Sequence, residues 1–87
     1  MISIEKFTKV ISKIQDNYKN IFKNQDDVLG VELEKDIVMT YLFTVLKDLQ
    51  KCNNTYFLLE GYLFNGIPID IKNMYNIYSA EVERLEI

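Results

Sequence analysis

The sequence predicts a small all-α protein, a bundle of three to four helices forming a single helical domain over residues 1–87. Three observations carry this. Ile4, Phe7, Ile11, Ile14, Tyr18 and Ile21 recur at alternating spacings of three and four, an apolar seam held for almost three heptads. Residues 37–46, Ile-Val-Met-Thr-Tyr-Leu-Phe-Thr-Val-Leu, carry no charge and are apolar nearly all round, so the helix they form must be covered on several sides. Asp70 then opens a third apolar stretch of helical period.

The first helix starts at a Ser3 cap, with Glu5 in its first turn where the helix dipole favours an anion, and is expected to end near Lys23. Its five lysines, 6, 9, 13, 19 and 23, fall on the outer positions. Asn24–Asp27 is turn chemistry, and Val28-Leu29-Gly30-Val31 reads as a short apolar connector. The second helix is expected from Glu32 to Lys51, stopped by Asn53-Asn54. Its broad buried face comprises Leu33, Ile37, Val38, Tyr41, Leu42, Val45, Leu46 and Leu49, with Met39 and Phe43 on an exposed flank. A short helix over 54–64 follows, stopped by Gly66, then an extended Ile67-Pro68-Ile69. The alternative is an α+β fold with a β-hairpin at 55–69, because Tyr56-Phe57-Leu58-Leu59 and Tyr62-Leu63-Phe64 are β-formers beside an Asn65-Gly66 turn. The last helix runs on from Asp70. Glu81, Glu83 and Glu86 load its C-terminal end with charge that the dipole disfavours, so that end is expected to fray.

Composition excludes more than it selects. With 48% apolar residues the chain is not a disordered type, and its longest uncharged stretch is far too short to span a membrane. The N-terminus lacks the pattern of a signal peptide, so a soluble, cytoplasmic protein is expected. A single cysteine, Cys52, rules out an intrachain disulfide, and Asn53-Asn54-Thr55 is a chance match to a glycosylation acceptor. Net charge is −3, unevenly spread: residues 1–23 hold five lysines against two acids, whereas the remainder holds five basic and eleven acidic residues.

Chemistry-bearing patterns are nearly lacking. The chain has no histidine, so the commonest general base and His-based zinc sites are excluded. Its three glycines are scattered, and Asp26-Asp27 before Gly30 is out of register for a calcium loop. No catalytic, cofactor or metal residue is therefore expected, and the chain reads as a non-enzyme. The aromatic segment is more suggestive. Tyr56, Tyr62 and Phe64 either fill a core that has no tryptophan or form a binding surface, with Glu60 beside them.

The chain resembles small acidic proteins of phages and mobile elements in low-GC Gram-positive bacteria. The order of features carries the likeness: an opening "SIEKF" helix, an apolar second helix, "YFLLEGYLFNG", then "IPID" leading into "IKNMYNIY". The group includes inhibitors of host defence such as anti-CRISPR proteins. The resemblance implies stoichiometric binding to a host defence protein, as inhibitor or adaptor, and transfers no site residue; the aromatic segment itself puts Tyr56, Tyr62, Phe64 and Glu60 at the expected contact. Met39 and Phe43 are expected to form a homodimer interface. The alternative is a nucleic-acid-binding regulator using the lysine face of the first helix.

Overall fold

The computed structural model describes residues 1–18 and 28–86, and the side chains of residues 1–17 and 34–86. Four helices follow one another: α1 (Ile4–Tyr18), α2 (Val28–Val45), α3 (Asn53–Phe64) and α4 (Ile71–Leu85), with a 3-10 turn at Leu49–Lys51 before α3. No strand occurs among the described residues, and the fold is a small all-α bundle. The hairpin alternative at 55–69 is overturned, since the backbone is helical through Phe64. Buried residues Cys52, Thr55 and Leu59 recur at helical spacing and seat this segment on the core.

The caps read from sequence at Ser3 and Asp70 are present. Ser3 Oγ accepts from the Lys6 N–H at 3.2 Å, and Asp70 Oδ1 accepts from the Lys72 N–H at 3.1 Å. Each satisfies one of the donors that a helix N-terminus leaves open. The expected continuation of the first helix from 19 to Lys23, and the turn at 24–27, lie outside the described residues. The connector expected at 28–31 is instead the opening turn of α2.

The second helix ends six residues earlier than expected. Asp48 adopts a left-handed conformation, φ 65°, which breaks the helix and turns the chain into the 3-10 turn. Leu46, Leu49 and Cys52 all reach the core through this bend. Asn53 and Asn54 accordingly open α3 rather than stop α2.

The core draws Phe7, Val10, Ile11 and Ile14 from α1, Val38, Met39 and Leu42 from α2, and Met74, Tyr78 and Val82 from α4. The face α2 buries differs from the expected one. Met39 is only 5% exposed, while Ile37 and Tyr41 are 54% and 41% exposed. The whole run is apolar, so its neighbours decide which side faces inward. Here α3 returns along the flank of Met39 and Phe43 and covers it.

Gly66 ends α3. Its φ of +67° suits glycine, and the chain then folds back so that the N–H groups of Asn65 and Ile67 both donate to the Gly61 carbonyl, at 3.1 and 3.0 Å. The Ile67 side chain lies over Gly61, where an added Cβ would stand 3.1 Å from Ile67 Cδ1. The two glycines therefore answer oppositely to alanine. Gly66→Ala meets no atom but forces a side chain into the left-handed region, costing about 1 kcal/mol. Gly61→Ala gains helix propensity of about 0.5–1 kcal/mol and displaces only the exposed Ile67 tip, so it leaves stability equal or higher. Urea unfolding of both variants checks this.

Candidate functional site

The residues expected to meet a partner and those expected to meet a second copy lie against one another. Tyr56, Glu60 and Phe64 recur every fourth position on α3, and Lys35, Met39 and Phe43 do the same on α2. The two rows run antiparallel. Tyr56 stacks on Phe43 with centroids 5.9 Å apart and rings 15° from parallel. At the other end, Lys35 Nζ is 3.3 Å from Glu60 Oε1 and 5.6 Å from the Phe64 ring centroid. The flank of Met39 and Phe43, expected to be exposed and to meet a second copy, is instead used inside the chain: Met39 is buried in the core and Phe43 is partly covered beneath Tyr56. Tyr56, Glu60 and Phe64 are half-buried for the same reason, and Tyr62 packs partly against the core.

One aromatic side chain of the segment does reach outward. Phe57 is 68% exposed, and its neighbour Tyr56 meets it edge-on at 5.9 Å. A column of three rings, Phe43, Tyr56 and Phe57, therefore runs from α2 to the surface. One turn along the same face lies Gly61, with the exposed Ile67 folded over it. Phe57 was not singled out from sequence. In an unbroken apolar segment, periodicity does not say which ring points out.

Glu81 holds this segment in place. Its Oε1 accepts from the Thr55 N–H at 2.8 Å and the Thr55 hydroxyl at 2.6 Å, and its Oε2 accepts from the Asn54 N–H at 3.2 Å. The residue at the cap position of α3, Cys52, makes no side-chain cap, so a carboxylate from α4 does the capping. The acid expected to burden the end of α4 instead serves the start of α3, and α4 stays helical through Leu85.

Around α1 the contacts are aromatic. Phe7 stacks on Tyr78 at 5.9 Å and meets Tyr75 edge-on at 5.4 Å. The Tyr75 hydroxyl donates to the Ile2 carbonyl at 2.8 Å, and the Tyr78 hydroxyl donates to the Lys47 carbonyl at 2.7 Å. Burial, then the neighbouring Cys52, Asp48 and Tyr75, push the Tyr78 phenol up to about 12. Burial, Glu81 and Asp48 likewise push the Cys52 thiol up, and its side chain is fully enclosed. That is the environment of a packing residue rather than a nucleophile.

The exposed lysines 6, 9 and 13 line the outside of α1. Lys6 borders a hollow of about 720 Å³ whose lining includes Ile2, Val10, Tyr41, Val45 and Val82, and Lys13 borders a smaller one of about 140 Å³ that also touches Tyr41. No cluster of acidic or cysteine side chains suited to a metal occurs among the described residues, nor any helix long and apolar enough to cross a membrane. Comparison of the chain with protein-family models, with curated proteins and with solved structures returns no match.

Two stability measurements follow from this geometry. Glu81→Ala leaves two backbone donors and the buried Thr55 hydroxyl without their acceptor, costing about 2 kcal/mol, and Thr55→Val costs about 1 kcal/mol, both read by urea unfolding. Tyr78 generates an alkaline limb. Its folded pKa lies above the unfolded value near 10, so its contribution is complete below pH 10 and is lost as pH rises toward about 12. The loss is on the order of 2–3 kcal/mol, and Tyr78→Phe flattens that limb in unfolding curves taken as a function of pH.

Proposed function

We propose that the chain is a non-catalytic protein-binding module that acts by stoichiometric occupation of a partner. Its setting is that of the phage and mobile-element inhibitors or adaptors it resembles, working in the cytoplasm on a host defence protein. Phe57 carries this reading. Its ring is two-thirds exposed beside the exposed Ile67, and it stands on a stacked base of Tyr56 and Phe43. A ring so supported loses little freedom on binding, which is the character of an interface anchor. Ile67 widens the apolar patch, and Tyr62 offers a half-exposed ring on the same helix.

A nucleic-acid surface on α1 has less in its favour. Lys6, Lys9 and Lys13 are exposed, but Glu5 and Asp16 are exposed among them and the helix has no arginine for bidentate phosphate contact. The test of the protein-binding reading is direct. Phe57→Ala leaves circular dichroism and melting unchanged, because the ring contributes little to the core. It weakens the partner complex by about thirtyfold, the scale of a loss near 2 kcal/mol at a central anchor. Retention of the same partner from a host lysate by wild type and by Phe57→Ala alike, in a quantitative pull-down, would remove α3 as the contact.

A further inference from the structure

The exposed side of α2 has a composition that the packing of one chain does not require. Between Asp36 and Lys47 its exposed positions are Ile37, Thr40, Tyr41 and Thr44. None is charged, and Thr44 turns its hydroxyl back to the Thr40 carbonyl at 3.0 Å, which hides that polar group too. A solvent-facing strip of a helix ordinarily carries charge. Here the only charges are at its two ends, an acid at one and a base at the other. Neither the Asp36 carboxylate nor the Lys47 ammonium makes an ion pair among the described residues.

We propose that this strip is the interface of a two-fold homodimer, with α2 of one copy packed antiparallel on α2 of the second. The charges choose both the occupant and the direction. The midpoint between Asp36 and Lys47 falls between Tyr41 and Leu42. A two-fold axis there sets each Asp36 against Lys47 of the other copy, twice over, as an isologous contact demands. A parallel pairing would set Asp36 on Asp36 and Lys47 on Lys47, which repels. The ion pairs at the rim fix register, and the adhesion is apolar. In the same register Ile37 of the second copy arrives opposite Leu46, between Val45 and Lys47, which line the edge of the hollow of about 720 Å³ whose walls include Val10, Tyr41 and Val45. The second copy thus has a side chain to fill the space that one chain leaves open. This interface is independent of Phe57, which lies on another helix.

Sedimentation equilibrium from micromolar to submillimolar protein at low salt tests the arrangement. Wild type is expected to dimerise, and Tyr41→Lys or Ile37→Glu to weaken the dimer at least tenfold while helicity is unchanged, since both side chains are exposed in the monomer. Asp36→Lys and Lys47→Asp alone are each expected to weaken it. Asp36→Lys combined with Lys47→Asp in one chain is expected to restore it, because the two-fold axis pairs the exchanged charges again. A monomer mass at every concentration overturns the proposal. A dimer indifferent to Ile37→Glu and Tyr41→Lys overturns it as well, by placing the contact on another face. Failure of the double exchange to recover affinity overturns the antiparallel register.

Discussion

The carboxylate of Glu81 at the N-terminus of α3 is the contact on which the arrangement of the other helices depends. A helix opening on Asn53-Asn54 behind an uncapping Cys52 has donors to satisfy and no local side chain that satisfies them. Glu81 does so from α4, with three hydrogen bonds on one carboxylate. Because it grips the first turn of α3, it sets where that helix starts and, with the buried Thr55 and Leu59, which side it turns inward. The row Tyr56, Glu60, Phe64 is then brought onto the flank of α2. Covering that flank moves Met39 into the core and leaves Ile37 and Tyr41 outside. The surface of the molecule is in this sense a consequence of one acid on its last helix.

What could be read in advance divides along the range of the interactions. Ser3, Asp70 and Gly66 act on backbone groups within a few residues, so their roles are visible in the local sequence, and the structure has all three. The α1 seam was legible in the same way through Phe7, Ile11 and Ile14, although Val10 joins them. Glu81 acts across 26 residues on Thr55, and nothing near either position announces the pairing. Asp48 was opaque for another reason. Aspartate enters the left-handed region only occasionally, so its presence in a helical pattern does not mark a break, whereas a glycine would have advertised it. The face of α2 was the hardest to foresee. A helix apolar on every side has no preferred direction of its own, and its orientation is written in the helices that cover it.

The aromatic residues show how a chain without tryptophan closes a core this small. Tyr78 is almost fully enclosed, stacked on Phe7, with its hydroxyl led out to the Lys47 carbonyl in the turn after α2. Tyr75 leads its own hydroxyl to the Ile2 carbonyl. Each ring supplies apolar area, and each hydroxyl ties a neighbouring segment to α4. Most of the tyrosine content of the last third is therefore explained by packing. That is why an aromatic that escapes this use, Phe57, is the more informative one about binding.

The same reasoning applies to the uncharged run at 37–46. Val38, Met39 and Leu42 are consumed by the core, and Phe43 and Val45 are partly covered. A chain of 87 residues has only so many helices to lay on α2, and α1 and α3 already pack against it. Ile37 and Tyr41 are what remains, at positions i and i+4, on a strip whose remaining members are two threonines. If solvent were their permanent neighbour, a charge at Thr40 or Thr44 would cost the fold nothing and would favour solubility. Charge stops at Asp36 and resumes at Lys47 instead, with opposite sign. A boundary of that kind matches a surface that is dry in use, and its sign reversal about Tyr41 matches one that faces its own copy.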